Sequence, residues 1–186
     1  MSEKARKAVH LLALLVPLVS ALISKTLVVV VLSVITIVFV LEEILRVEGY
    51  SLPFITPFTL KMSRPEERAS FMIIRPAYFA IGIILALVLY PSMIAYASIC
   101  IGAVGDSVAA IVGARIGRRR IVRRKTVEGF AAGLTAAFIL ASFLVSPFIA
   151  LLGATGGMVM ELLDVPDDNL TMPIVAGALM NLATRL

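Results

Sequence analysis

Tryptophan is absent from this chain, cysteine and histidine occur once each, and charged residues make up only 16% of its 186 positions. The single cysteine, Cys100, excludes an internal disulfide framework and a cysteine-ligated zinc cluster. The single histidine, His10, excludes a multi-histidine metal site. The scarcity of charge fits disorder, coiled coil and a water-soluble α/β enzyme poorly, because one core of this size would be left almost without polar surface. The phosphate-binding pattern G-x-x-x-x-G-K-[ST] does not occur, and neither do the Gly-rich and catalytic-loop patterns of protein kinases.

Apolar residues are what the chain has in quantity. They make up 60% of it, with a mean hydropathy of +1.04, against about 45–50% in an ordinary soluble domain. The composition predicts an all-α protein: one integral-membrane domain over residues 1–186, a polytopic bundle of about seven transmembrane or partly spanning helices. The apolar stretches run over Ala8–Ser24, Thr26–Ile44, Phe71–Tyr90, Ser92–Ala114, Glu128–Val145, Phe148–Leu163 and Leu170–Thr184. Lys25, Pro91 and Ser146-Pro147 divide them into three helical hairpins with very short turns.

Seventeen basic residues face twelve acidic ones, and the excess is concentrated. Lys4, Arg6 and Lys7 lie at the N-terminus, Lys61, Arg64 and Arg68 in the 47–70 segment with Arg75 just beyond, and seven basic residues among the eleven of Arg115–Lys125. The hairpins bring all three groups to one side, which the positive-inside rule makes cytoplasmic, with the C-terminus opposite. The same topology leaves the Asn169-Leu170-Thr171 sequon in the cytoplasm, away from glycosylation. Residues 1–24 have the outline of a signal peptide, but with so many later spans they are expected to remain as an anchor.

Four polar clusters interrupt the apolar pattern at that face. Arg6, Lys7 and His10 share one helical face; an interfacial anchor would look the same. Asp106, in Gly105-Asp106-Ser107, lies nine residues before Arg115, which is about 13 Å into its helix. A carboxylate at that depth is costly unless it is paired, hydrated or metal-bound. Gly102, Gly105, Gly113 and Gly117 follow small-residue spacing, which also serves helix packing. Lys125, Thr126, Glu128 and Gly129 end the basic loop, with Thr126 a helix N-cap and Glu128 in the first turn. A helix start beside Arg119, Arg120 and Arg124 suits phosphate, although anionic headgroups would attract the same arginines. Glu161, Asp164, Asp167, Asp168 and Asn169 supply oxygen ligands of the kind Mg²⁺ takes together with substrate phosphates; a solvated acidic loop is the plainer account. Together these clusters point to a polyphosphate with Mg²⁺ meeting a substrate dissolved in the bilayer. Nucleic acid is not expected as a partner. Small-residue motifs pack within and between chains alike, so a homodimer is compatible.

The stretch from Gly105-Asp106-Ser107-Val108-Ala109-Ala110 through Gly113 and Gly117 to Lys125-Thr126-Val127-Glu128-Gly129 resembles the signature of the dolichol kinase/phytol kinase family. Arg6-Lys7-x-x-His10 and Glu161 with Asp168-Asn169 are similar to that family's outer motifs, in the same order. The family comprises membrane-embedded polyprenol and prenol kinases, many CTP-dependent, and is related to a CTP-dependent diacylglycerol kinase. The resemblance implies transfer of the γ-phosphoryl group of CTP, with Mg²⁺, to a lipid alcohol of the dolichol, geranylgeraniol or phytol type. It implies catalytic roles for Asp106, Lys125, Glu128, Glu161 and Asp168, with Asp106, Glu161 and Asp168 as metal ligands. It implies nucleotide contacts from Arg6, Lys7, His10, Gly105, Gly113, Gly117, Arg119, Arg120, Arg124, Lys125, Thr126, Gly129 and Asn169. A carboxylate free of metal, or His10, would take the hydroxyl proton. The chain matches only the C-terminal catalytic part of eukaryotic dolichol kinases, so a shorter prenol is as good an acceptor. A CDP-lipid synthase, moving the cytidylyl group to a lipid phosphate, is the main rival, and a headgroup-binding scaffold is a third reading.

Overall fold

Proline and short polar turns divide the chain where the hydropathy pattern does. A computed structural model describes residues 10–53, 55–62, 73–122, 125–163 and 167–185. Its helices are α1 (Leu15–Leu22), α2 (Lys25–Val47), α3 (Ile55–Met62), α4 (Arg75–Leu89), α5 (Ser92–Ile116), α6 (Val127–Ala141), α7 (Pro147–Leu163) and α8 (Asp168–Ala183). Two short strands, β1 (Arg120–Val122) and β2 (Lys125–Thr126), pair antiparallel between α5 and α6. Among the described residues the regular structure is all helical apart from this hairpin. The hairpin occupies part of the segment read above as a basic loop.

Helix ends follow local chemistry. Ser24, in extended conformation, caps α2 by accepting from the Leu27 N–H. Residues 10–12 are helical, and the chain breaks at Ala13-Leu14 before α1 resumes. Pro17 lies four residues after Ala13, and its ring would clash with that carbonyl in a regular helix. Pro173 inside α8 cannot donate to the Asn169 carbonyl. Gly82 of α4 accommodates this carbonyl, since a Cβ there would stand 2.7 Å from it.

Helix α5 is the axis of the molecule. It packs most extensively on α6 and also contacts α4, α7, α8 and α1. Many buried positions at these crossings are small, namely Ala95, Ala97, Ala103, Ala137, Ala141, Ala150, Ala154 and Ala176, and they alternate with larger ones such as Ile101 and Met158. Small side chains let backbones approach closely and gain dispersion contacts along the whole crossing. At one end Lys25 Nζ donates to the Tyr90 carbonyl at 2.7 Å, which ties the α1–α2 turn to the α4–α5 turn. The hairpin and the start of α8 lie at the other end.

The expectation of seven spans is met in part. Among the described residues only α2 and α5, with 23 and 25 residues, are long and apolar enough to cross a membrane. Helices α4, α6 and α7 are apolar but have 15, 15 and 17 residues. At about 1.5 Å per residue these reach roughly 22–26 Å, short of a hydrocarbon core of about 30 Å. The stretch expected to run to Val145 stops at Ala141, and turns follow up to Pro147.

Candidate functional site

Lys125 is the hub of the charged end. Its side chain leaves β2 just before Thr126, whose hydroxyl accepts from the Gly129 N–H at 3.1 Å and so starts α6. The ammonium lies 2.5 Å from Glu161 Oε1 of α7, 3.5 Å from Asp168 Oδ2 at the start of α8, and 4.0 Å from Asp106 Oδ1 of α5. Four elements therefore meet at one cation. Burial pulls the Lys125 pKa down, but the charges of Glu161 and Asp106, the hydrogen bond to Glu161 and the charge of Asp168 outweigh it, and the net shift is upward. Asp106 and Glu161 are buried, as their positions in apolar helices require. Glu161 Oε2 is buried without a hydrogen-bond partner among the described residues, and so is Ser107 Oγ beside Asp106.

His10 joins from the N-terminal segment. Its Nδ1 stands 3.6 Å from Asp106 Oδ2, and its ring stacks on Phe79 of α4 with centroids 4.4 Å apart. Close by in sequence, Asp167 caps α8 by accepting from the Asn169 N–H, and the Asn169 side-chain amide donates to the same oxygen at 2.8 Å. Arg75 Nε lies 3.7 Å from the other Asp167 oxygen. Burial raises the Asp167 pKa, and the neighbouring Asp168 charge adds to it.

Of the residues singled out by sequence, His10, Asp106, Lys125, Glu161 and Asp168 come together, while Asn169 sits beside them on Asp167. Glu128 is placed otherwise. Its carboxylate turns back to accept from the Arg118 and Arg119 N–H groups, which closes the hairpin on the first turn of α6. Arg119 and Arg120 are exposed around this junction. Gly105, Gly113, Gly117 and Gly129 are used in packing: a Cβ at Gly105 would meet Met158 Sδ at 2.7 Å, and Cβ atoms at Gly113, Gly117 and Gly129 would each crowd Thr126. Arg6, Lys7, Arg124 and Asp164 lie outside the described residues.

Two buried acids escaped the sequence reading. Glu43 of α2 pairs with Arg46 at 2.8 Å and accepts from the Ile73 N–H, while Glu42 accepts from the Thr56 hydroxyl at 2.6 Å. An adjacent Glu-Glu pair late in a long apolar run was the available signal, by the reasoning applied to Asp106. Together they hold α2 and α3 to the segment entering α4.

Among the described residues, no three His, Cys, Asp or Glu side chains are grouped so as to hold a metal ion. The three carboxylates around Lys125 are oxygen donors, the ligand chemistry Mg²⁺ takes, and in this arrangement they are gathered on the ammonium. Glu161 Oε2 has no hydrogen-bond partner among the described residues.

An uncharacterized protein of Methanocaldococcus jannaschii, MJ1137, is 32% identical over 190 residues, an alignment covering 97% of this chain and 94% of the relative. This chain belongs to the MJ1137 family. The match spans nearly the full length of both proteins rather than a single motif. No family model matches the chain, and no solved structure matches it.

Proposed function

We propose that this protein is a membrane-embedded lipid-alcohol kinase that moves the γ-phosphoryl group of CTP to a prenol or polyprenol at the cytoplasmic face. The observation that carries the reading is the meeting of Lys125, Asp106, Glu161 and Asp168 at one end of a helical unit whose outer side chains are apolar. On α2 alone Leu27, Val30, Val31, Val34, Ile35, Ile37, Val38 and Leu41 are exposed, a surface suited to lipid rather than water. Six apolar helical segments, two of them of spanning length, favour a polytopic arrangement in a locally thinned bilayer. The basic hairpin and the N-terminus would lie on the cytoplasmic side and the C-terminus opposite.

Phosphoryl transfer needs charge neutralisation and in-line positioning more than covalent help from the protein. Lys125 and the exposed Arg119 and Arg120, with Arg6, Lys7 and Arg124 from outside the described residues, would hold the triphosphate. Thr126 would fix the α6 N-terminus beside it. Asp106, Glu161 and Asp168 would hold Mg²⁺, which when bound supplies charge neutralisation on the phosphates. The alcohol oxygen attacks the γ-phosphorus, the bond from that phosphorus to the β,γ-bridging oxygen breaks, and CDP leaves. The hydroxyl proton passes to a nearby base. A carboxylate free of metal, or His10, which stacks on Phe79 beside Asp106, would take it. CTP as donor and a prenol as acceptor come from the resemblance to the dolichol kinase/phytol kinase family.

The test supplies purified protein in detergent with Mg²⁺ and CTP labelled at the γ- or the α-phosphate. Geranylgeraniol, diacylglycerol or geranylgeranyl phosphate is offered as acceptor. Label should move from the γ position into geranylgeraniol, and Asp106→Asn should lower that rate at least about a hundredfold while the protein stays folded. Transfer from the α position into the lipid phosphate, with pyrophosphate released, would make the protein a cytidylyltransferase instead.

A further inference from the structure

The Lys125 ammonium stands where three carboxylates converge. Carboxylates from α5, α7 and α8 face it at 4.0, 2.5 and 3.5 Å, so three anionic groups share one positive charge. The Glu161 side chain, 1% exposed, commits Oε1 to the ammonium and leaves Oε2 buried with no hydrogen-bond partner among the described residues. Lys125 itself is 32% exposed, so its flexible stem can withdraw toward solvent without crossing packed protein.

We infer that Lys125 is a resident counter-ion, and that the cluster exchanges its ammonium for a divalent cation once a polyphosphate draws the lysine away. Lys125 holds the three acids together while the site is idle. It also repels a metal ion approaching them, because like charges a few ångströms apart in a partly buried site interact strongly. A phosphate group offers the ammonium another anion. The withdrawn lysine then pairs with the phosphate, and the carboxylates, including the uncommitted Glu161 oxygen, become available to the metal. Metal and polyphosphate therefore bind cooperatively, each favouring the other. The polyphosphate half rests on the kinase reading; the competition between lysine and metal does not.

The experiment uses the full-length protein in detergent and Mn²⁺ alone, with free Mn²⁺ followed by its electron paramagnetic resonance signal. Wild type should bind weakly, and Lys125→Met should bind at least about tenfold more tightly. Lys125→Arg, which keeps the charge, should stay weak. Glu161→Gln placed in the Lys125→Met protein should abolish the gain. Lys125→Gln is read in the same way and decides the matter if Lys125→Met does not fold. Equal Mn²⁺ affinity in wild type and the neutral variants, no binding in any of them, or a gain that survives Glu161→Gln would each overturn the inference. The assay contains neither nucleotide nor lipid, so its outcome is separate from that of the labelled-CTP experiment: either can fail while the other succeeds.

Discussion

Lys125 gains more from its three carboxylates than burial costs it, so its pKa stands above the usual 10.5 in the folded protein. A raised lysine pKa means that the folded state holds the proton more tightly than the unfolded state does. The stabilisation is fully present below the unfolded pKa and fades as pH climbs through the folded value. Melting temperature in detergent should therefore fall as pH is raised above about 10.5. The fall attributable to this group should vanish in Lys125→Met, and an unchanged alkaline profile in that variant would count against the ion cluster. Asp106 shows how far sequence reaches at this scale. A carboxylate deep in an apolar helix announces a partner, but which groups approach it, among them His10 and a lysine from the hairpin, depends on how the elements converge. Glu128 shows the converse. Its place in the first turn of α6 was legible, yet its carboxylate serves the Arg118 and Arg119 N–H groups and not the charged cluster.

Among the elements, the α5–α6 crossing sets the geometry of the site, because α5 carries Asp106 and the hairpin that delivers Lys125 runs directly into α6. A Cβ at Gly133 would meet the Gly105 carbonyl at 2.6 Å and the Ala109 side chain at 2.8 Å. Backbone cannot move aside as a flexible side chain can. Gly133→Ala should therefore cost about 1–3 kcal/mol, read as a lower melting temperature in detergent. Gly102→Ala is the control: its nearest neighbour, Pro173 Cδ, would stand 3.5 Å away. Ordinary van der Waals contact there, together with better helix propensity, should leave stability unchanged or raise it by about 0.5–1 kcal/mol. The small-residue spacing around Gly113 and Gly117 was readable as packing, and packing is what it does. The strands β1 and β2 were not readable, since a run of arginines lacks the alternating apolar pattern that marks a strand.

For the molecule as a whole, the proposed orientation places the hairpin in the cytoplasm and the Tyr90-Pro91 turn on the far side. Cysteine labelling in membrane vesicles tests this, with Cys100 replaced by alanine to remove the buried native thiol. Arg120→Cys should react with a membrane-impermeant maleimide only in inside-out vesicles. Met93→Cys, at an exposed position near the opposite end, should react only in right-side-out ones. Labelling of both from the same side would refute the orientation, and with it the placement of the charged cluster at the cytoplasmic face.

Sequence by itself determined the helical class and the positions of most breaks, and it marked Asp106, Lys125, Glu161 and Asp168 among a larger set of charged residues in need of partners. Each of these follows from local causes: apolar runs, proline and turn chemistry, and the cost of leaving a charge alone among apolar side chains. Only the tertiary structure decided that Lys125 stands among Asp106, Glu161 and Asp168. The same is true of Glu128 closing the hairpin and of Glu42 and Glu43 anchoring α2. Those pairings join residues up to 43 positions apart, and a hydrophobic period carries no information about which polar groups end up facing one another once the helices cross. Helix length belongs with them, since turns after Ala141 shorten α6 where the apolar run continues to Val145.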